Sequence, residues 1–211
     1  MSIPKNDPPQ FTGRKSHYSD PAPVVASKPR TVHLRIGELE LELQADRGVF
    51  ASRAIDLGTR VLLREAPAPP PEGDILDLGS GYGPIAIALA RQAPGAQVWA
   101  VDVNQRAVEL TRTNAAAAAV ANVTACSPDE VPDDVRFAAI YSNPPVRVGK
   151  VALHELLVRW LSRLAAGGRA YLVVQRNLGA DSLAAWLATQ GFEVTRLKSK
   201  KGYRVLEVKA G

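Results

Sequence analysis

The sequence predicts an α/β protein built on a doubly wound, mainly parallel β-sheet. From residue 74 onward, apolar strand-like segments alternate with helix-like segments, which is the pattern that βαβ units produce. A glycine-rich turn, Gly79–Gly83, lies directly between the first of these strands and the first helix. The chain then closes with two strand-like segments joined by a short turn, which predicts an antiparallel pair on the same sheet.

The first part of the chain is predicted to form a small cap on the main domain. Residues 1–30 contain six prolines and few aliphatic side chains, so we expect an extended or partly ordered basic tail. The segments Thr31–Ile36 and Leu39–Leu43 alternate apolar and polar residues around a Gly-Glu pair, which predicts a β-hairpin. Ile55–Glu65 has apolar residues at helical spacing. Residues 31–66 are therefore expected to form one hairpin and one helix.

Residues 67–211 are predicted to form the main domain, entered through a stiff connector that contains Pro67, Pro69, Pro70 and Pro71. We expect the pair Gly167-Gly168 to stop its third helix. The predicted strands are Asp74–Leu78, Gln97–Val101, Asn122–Cys126, Phe137–Tyr141, Arg169–Val174, Phe192–Leu197 and Tyr203–Val208. The predicted helices are Pro84–Arg91, Gln105–Ala119, Val151–Ala165 and Ala180–Thr189.

The composition excludes several classes of protein. The 211 residues contain no apolar run long enough to span a membrane, and the N-terminus lacks the apolar core of a secretory signal. A single cysteine, Cys126, excludes an internal disulfide and a multi-cysteine zinc site, and three scattered histidines do not suit a metal site. We expect a cytoplasmic protein with no metal and no membrane association. Its oligomeric state is left open, with a monomer favoured.

The net charge of +5 is unevenly distributed. Residues 1–36 contain six Lys or Arg against two acids, and residues 196–211 contain six against one. The intervening residues 37–195 contain 14 against 18. Basic ends on an acidic body favour a polyanionic partner such as RNA, although solvated tails would show the same distribution.

The first motif with chemical content is the loop Asp77-Leu78-Gly79-Ser80-Gly81-Tyr82-Gly83. Its glycines permit a tight turn and a close approach of the backbone to a ligand, and the helix that follows favours a negative group at its N-terminus. A second strand ends about 20 residues later in Asp102, whose carboxylate suits ribose hydroxyl groups. Together they predict a cofactor that contains a nucleoside.

The glycine spacing separates two classes of cofactor. A dinucleotide site has the pattern G-x-G-x-x-G, whereas this loop has D-x-G-x-G-x-G, with Asp77 leading. That form resembles motif I of class I S-adenosylmethionine-dependent methyltransferases, whose seven-stranded, Rossmann-like sheet also ends in an antiparallel strand. A nicotinamide-dependent oxidoreductase is the alternative.

The second motif is Asn143-Pro144-Pro145, which directly follows a predicted strand. In a doubly wound sheet it should therefore lie at the carboxyl ends of the strands, beside the glycine loop. Proline nitrogens cannot donate, so the Asn143 side-chain oxygen and the Pro144 carbonyl would offer two acceptors to one amine. Such a pair would orient a planar exocyclic amino group for methylation without a strong base.

With both motifs in place, the chain resembles the methyltransferase small domain group over residues ~31–209. This group includes ribosomal RNA guanine methyltransferases that act on the 2-amino group, and the chain is most similar to their single-domain relatives. The resemblance rests on these segments: Gly48-Val49-Phe50, Asp56-x-Gly58-Thr59, Asp77–Gly83, Asn143-Pro144-Pro145-Val146-Arg147 with Gly149-Lys150, Val173-Val174-Gln175-Arg176, and Lys201-Gly202-Tyr203-Arg204.

The resemblance implies a role for each matching position. Asn143, Pro144 and Pro145 would form the catalytic loop. Phe50 would pack over the cofactor or the target base. The residues implied to bind S-adenosylmethionine are Asp77, Gly79, Ser80, Gly81, Gly83, Asp102, Asn143 and Thr59.

Two departures from the group affect the predicted site. Many relatives have Phe or Tyr after the two prolines to stack on the base, whereas this chain has Val146, so stacking must come from elsewhere. Relatives often carry an Asp near position 126 or 127 for the adenine amino group, whereas this chain has Cys126-Ser127-Pro128.

Basic residues follow the predicted loops. Arg147 and Lys150 come directly after the two prolines, Arg176 follows a predicted strand, and Arg204 lies in the last hairpin. With Phe50 and Val146, these residues are predicted to bind the substrate, because RNA phosphates need cations close to the reactive loop.

The predicted function is methyl transfer from S-adenosylmethionine to an exocyclic amine of a nucleobase, guanine in ribosomal RNA above all. The RNA partner would be ribosomal RNA or a ribosomal particle, with the target base unpaired or flipped. Three alternatives stay open: a protein glutamine or small-molecule acceptor, a nicotinamide-dependent oxidoreductase, and a non-catalytic RNA-binding protein.

Overall fold

The computed structural model describes residues 25–211, so most of the predicted tail lies outside the described residues. Strands β1 (Arg30–Ile36) and β2 (Leu39–Ala45) form a separate two-stranded antiparallel sheet, which confirms the predicted hairpin. Every second side chain, such as Leu34 and Leu43, is buried on one face. This period of two is what the alternating sequence encodes.

Helix α1 (Leu57–Glu65) begins two residues later than the sequence predicts. Asp56 is its N-cap, and one carboxylate oxygen accepts the backbone N–H groups of Gly58 at 2.7 Å and Thr59 at 3.3 Å. Because the cap residue has an extended backbone, it excludes the residues before it from the helix. The helix ends at Glu65, just ahead of the proline connector.

The main domain contains a mixed sheet of seven strands in the order β5-β4-β3-β6-β7-β9-β8. Strands β3 to β7 pair in parallel, and β9 pairs antiparallel with both β7 and β8. This arrangement confirms the predicted fold class. The strands are β3 (Glu72–Leu78), β4 (Gly95–Val101), β5 (Val123–Cys126), β6 (Phe137–Ser142), β7 (Leu164–Gln175), β8 (Phe192–Lys200) and β9 (Tyr203–Ala210).

Helices cover both faces of this sheet. Helices α4 (Lys150–Leu161) and α5 (Ala180–Thr189) pack on one face around the buried Trp160. On the other face, α1 packs beside α2 (Pro84–Gln92) and α3 (Gln105–Ala117). The chain reverses direction across the sheet between β3 and β6, and a crevice opens at such a reversal beyond the carboxyl ends of the strands.

The prediction that Gly167-Gly168 stops the third helix is wrong. Helix α4 ends at Leu161, and both glycines lie inside β7, where the register with β6 shifts. A Cβ atom at Gly168 would lie 2.7 Å from the carbonyl oxygen of Phe137. The glycine is therefore needed for a close approach between strands, which the sequence does not distinguish from a helix terminator.

The hairpin is attached to the main domain through Asn114, a buried residue of α3. Its Nδ2 donates to the carbonyl groups of Gln44 and Tyr82, each at 2.8 Å, and its Oδ1 accepts the N–H of Gln44 at 2.7 Å. The side chain thereby joins β2 to the glycine loop. Within residues 25–211, no helix has the length and apolar character needed to cross a membrane.

We expect Asn114→Ala to lower the free energy of unfolding by about 2 kcal/mol, because it leaves the buried Tyr82 carbonyl and the part-buried backbone groups of Gln44 without their partner. Urea denaturation followed by tryptophan fluorescence measures this change. Thr113→Ala, at an exposed position of the same helix, is the matched control and should shift stability by less than about 1 kcal/mol. Equal effects of both substitutions would contradict the role given to Asn114.

Candidate active site

The glycine loop leaves β3 in a shape that side chains disfavour. Gly79, Gly81 and Gly83 have φ angles of +76°, +58° and +88°, which lie in the left-handed region. At Gly83 a Cβ atom would also lie 2.9 Å from Cγ2 of Thr111. The N–H of Gly79 donates to the Val101 carbonyl at 2.8 Å, which holds the start of the loop against the end of β4.

Asp77 lies behind this loop and does not line the cleft that the loop borders. Its Oδ2 accepts the N–H of Ala86 at 2.9 Å, in the first turn of α2, and no described residue donates to its Oδ1. Complete burial raises the pKa of Asp77 to about 8. The carboxyl group therefore braces the helix behind the loop rather than facing a ligand.

Asp102, at the end of β4, does face the cleft. Its Oδ2 accepts the N–H of Gly81 at 2.9 Å, and its Oδ1 accepts the N–H of Asn104 at 2.9 Å. Burial raises the pKa of Asp102 to about 6, against the opposing effect of these backbone hydrogen bonds. At neutral pH the group is therefore an ionised acceptor, held in place by the loop beside it.

Asn143 follows β6 and meets the glycine loop across the β3–β6 pair. The hydroxyl group of Ser142 donates to the Leu78 carbonyl at 2.7 Å, which ties the ends of the two strands together. Nδ2 of Asn143 donates to Asp56 Oδ2 at 2.8 Å and to Thr59 Oγ1 at 3.2 Å. None of the residues that the structure describes donates to its Oδ1, and Asn143 lines the cleft.

The two prolines form a tight bend. The backbone angles of Pro145, φ −75° and ψ 67°, are those of an inverse γ-turn, and the N–H of Val146 donates to the Pro144 carbonyl at 2.8 Å. The N–H of Val148 donates to the Pro145 carbonyl at 3.0 Å. The Pro144 carbonyl thus uses one lone pair inside the loop and keeps one for another donor.

These elements surround a cleft of about 190 Å³ at the carboxyl ends of the strands. Its lining is mostly apolar, with a few polar groups, which is typical of a small-molecule site. The residues predicted from the sequence that line it are Phe50, Gly79, Asp102, Asn143, Pro144, Pro145, Val146 and Arg147. Several other lining residues had no role predicted from the sequence: Asp56, Pro128, Leu156, Gln175, Leu178 and Tyr203.

The remaining predicted residues lie behind or beside the cleft. Ser80, Gly81 and Gly83 shape the loop without lining the cleft, and Thr59 is buried beneath Asn143. Lys150 is exposed at the start of α4. Each of these positions is close in the chain to a residue that lines the cleft.

Arg176 and Arg204 line a second depression of about 160 Å³, which shares the side chain of Tyr203 with the cleft. Arg204 has a side chain only 12% exposed and paired with Asp181. Little of the Arg204 side chain is exposed, and its contact with a substrate stays a prediction. Within residues 25–211, no group of three or more His, Cys, Asp or Glu side chains could hold a metal ion.

Two of the additional lining residues had weak signals in the sequence. Asp56 precedes Gly58-Thr59 as an N-cap should, but its contact with Asn143 spans 87 positions and depends on the docking of α1. Tyr203 opens β9, whose insertion between β7 and β8 brings its ring to the cleft. Burial, together with the nearby Asp56 carboxylate, raises the pKa of Tyr203.

A family model described as "Methyltransferase small domain" matches residues 40–207, which include every residue named above as lining the cleft. The chain belongs to the methyltransferase small domain family. This membership confirms the resemblance of its glycine and Asn-Pro-Pro loops to that group.

Individual proteins resemble the chain to different extents. The protein YbxB of Bacillus subtilis, described as uncharacterized, is 35% identical over 92% of this chain and 98% of its own length. Ribosomal RNA small subunit methyltransferase C of Shewanella amazonensis is 35% identical over 65% of this chain, which spans only 41% of that enzyme.

A solved structure agrees with this membership. The 16S rRNA N2 G1207 methyltransferase RsmC of T. thermophilus, in complex with AdoMet and guanosine, superposes with a TM-score of 0.72 at 28% identity. The match covers 90% of this chain and 52% of that one. The chain thus spans about half the length of this relative.

We expect the burial of Asp77 to make stability depend on pH. A folded-state pKa of about 8 against 3.8 for an ordinary Asp means that the folded protein binds the extra proton, so the stabilisation is complete below pH 4 and is lost as pH rises towards 8. The difference in unfolding free energy between wild type and Asp77→Asn should change by on the order of 2–3 kcal/mol from pH 5 to pH 7. Urea denaturation at both pH values measures it, and a constant difference would contradict the assignment.

Proposed function

We propose that this protein transfers a methyl group from S-adenosylmethionine to the exocyclic amine of a nucleobase, with guanine in ribosomal RNA as the target. The observation that carries the proposal is the position of Asn143: it lines the cleft beside the glycine loop, and its Oδ1 accepts from none of the described residues. The RsmC structure, a complex with AdoMet and guanosine, supports the same pairing of cofactor and base.

The residues present fit S-adenosylmethionine. At Gly79, nothing lies within 4 Å of the position that a Cβ atom would occupy, so its backbone is open to a ligand. Asp102, ionised at neutral pH, would accept the ribose hydroxyl groups, and Phe50, which lines the cleft, would cover the ligand or the base. When bound, the cofactor supplies an electrophilic methyl carbon on a sulfonium ion.

Asn143 would hold the acceptor amine. Its Oδ1 accepts one amino hydrogen, and the free lone pair of the Pro144 carbonyl accepts the other, so the nitrogen lone pair points out of that plane. The nitrogen forms its new bond to carbon as the carbon–sulfur bond breaks, and its extra proton leaves to water. The work of the chain is orientation, which requires no strong base.

Because residue 146 is a valine, the base would stack on aromatic side chains elsewhere in the cleft. Phe50 and Tyr203 both line the cleft, one from the loop before α1 and one from the start of β9. Aromatic faces on these two elements offer the stacking surface that Val146 lacks.

Three cations near the cleft are available to phosphate groups. Arg147 lines the cleft, Lys150 follows it at the start of α4, and Arg176 lies in the neighbouring depression. Among residues 25–211, none forms an ion pair with these three side chains. Paired as it is with Asp181, Arg204 is left out of the proposed RNA contact.

Other methyl acceptors, and a protein without activity, are alternatives that a labelling experiment distinguishes. Family membership removes the nicotinamide-dependent alternative. A protein glutamine or a small amine would also present two N–H groups to Asn143, and a non-catalytic member would bind RNA without methylating it. Incubation with labelled S-adenosylmethionine and either naked ribosomal RNA or ribosomal subunits, both from a strain lacking the gene, distinguishes these cases by where the label appears. Label on protein alone, or on no RNA, would reject the proposal.

We expect Asn143→Ala to reduce methyl transfer by at least about 100-fold, since it removes the acceptor that orients the amine. Transfer is measured as label incorporated into RNA under single-turnover conditions. The affinity for S-adenosylmethionine, measured by calorimetry, should stay within about threefold of wild type, because Asp102 and Gly79 are intact. Normal methylation by this variant would exclude the role given to Asn143.

We expect Arg147→Gln and Lys150→Gln to weaken RNA binding and to reduce its salt dependence. Removing one cation that binds a phosphate should lower the slope of log affinity against log salt by about 0.7–0.9. Filter binding at several salt concentrations measures this slope. Arg30→Gln, which removes the same charge from the exposed hairpin strand β1, is the matched control and should leave the slope unchanged. A slope that falls equally in the control would indicate only a net-charge effect.

A further inference from the structure

Asp56 makes three hydrogen bonds with a single oxygen atom. Its Oδ2 accepts the N–H of Gly58 at 2.7 Å, the N–H of Thr59 at 3.3 Å and Nδ2 of Asn143 at 2.8 Å. The first two bonds cap helix α1, as an aspartate at this position normally does. The third bond connects the cap to the Asn-Pro-Pro loop, and capping the helix does not require it.

The contact with Asp56 determines which way the Asn143 amide faces. An ionised carboxylate can only accept, so the amide must present its nitrogen to Asp56, and Thr59 Oγ1 accepts the second amide hydrogen at 3.2 Å. The reversed amide would place its oxygen against the carboxylate, with no hydrogen between them. Oδ1 of Asn143 is therefore left on the side away from Asp56, free for another donor.

Asp56 and Asn143 meet directly above the backbone of Gly58. A Cβ atom on Gly58 would lie 2.8 Å from Asp56 Oδ2, 3.2 Å from Asn143 Nδ2 and 2.9 Å from Cε1 of Tyr203. Only glycine at position 58 lets the three side chains meet. Helix α1 itself is anchored by the buried Val61 and Leu62.

We propose that Asp56 is a positioning residue that holds the Asn143 amide with its oxygen towards the substrate. The catalytic consequence rests on the proposed function, whereas the orientation of the amide does not. A fixed oxygen makes the site a pure acceptor, so it selects a substrate that donates, such as an amino group. If the Asn143 amide could rotate, it would sometimes turn its own N–H groups towards that amine. Two donors would then face each other, which would oppose binding of the amine in the reactive orientation.

Two substitutions separate capping from positioning. Asparagine and serine cap helices about as well as aspartate, so Asp56→Asn and Asp56→Ser should both keep α1 folded. The Asp56→Asn variant retains an oxygen at the reach of the original carboxylate, and the Gly58 N–H directs that oxygen into place. A serine hydroxyl is one bond shorter and cannot reach Asn143. The two substitutions therefore change the reach of the acceptor while preserving the cap.

We expect the kcat of Asp56→Ser to fall at least tenfold below that of Asp56→Asn, with equal melting temperatures and with equal calorimetric affinities for S-adenosylmethionine. A cap that acts only on stability would give the two variants the same kcat. Equal kcat values, whether both high or both low, would overturn the proposal.

A second measurement tests the amide without any substrate. In ¹⁵N-edited spectra, the side-chain amide protons of Asn143 should exchange slowly with water in wild type and in Asp56→Asn, and rapidly in Asp56→Ser. The signals are assigned by their disappearance in Asn143→Ala. Unaltered exchange in Asp56→Ser would overturn the proposed orientation of Asn143, whether or not the protein methylates RNA. If wild type shows the slow exchange, Asp56→Ser shows the rapid exchange, and wild type methylates no RNA, only the proposed function is refuted.

Discussion

The pairing of β3 with β6 is the constraint on which the site depends. Adjacent parallel strands end at the same edge, so the glycine loop after Leu78 and the Asn-Pro-Pro loop after Ser142 must leave the sheet side by side. The hydroxyl group of Ser142 fixes their separation by donating to the Leu78 carbonyl. Neither loop alone encloses a ligand; the cleft exists because the strand order reverses between them.

Much of this arrangement could be predicted from the sequence, because it depends on local patterns. Alternating apolar runs placed the strands, and the spacing of Gly79, Gly81 and Gly83 identified a loop whose three glycines all have positive φ angles. The position of the Asp77 carboxyl group could not be predicted from local patterns. The acid at the head of the motif was expected to hold the cofactor, but its carboxyl group is buried against Ala86, and burial is a property of the packed fold.

The features that could not be predicted depend on contacts between distant segments. The glycine pair within β7 has the sequence signature of a helix terminus, but Gly168 is needed for its close approach to the Phe137 carbonyl. Glycine serves both purposes, so the sequence alone does not distinguish them. Asp56 had the local signature of a cap, while its reach to Asn143 follows only from the docking of α1. The basic charge near the C-terminus is partly neutralised for the same reason, by the ion pairs Lys200–Glu65, Arg196–Asp181, Arg204–Asp181 and Lys209–Glu207.

The position of β9 has a consequence for how the protein is made. This strand follows all the others in the sequence, yet it lies between β7 and β8 and contributes Tyr203 to the cleft. A chain emerging from the ribosome can pair β3 with β6, but it cannot complete the cleft until Tyr203 has been synthesised. Such late, non-local pairing slows folding and leaves the flank of β7 open to other partners in the meantime. The full lining of the cleft is therefore present only after nearly the whole of the described chain has been translated.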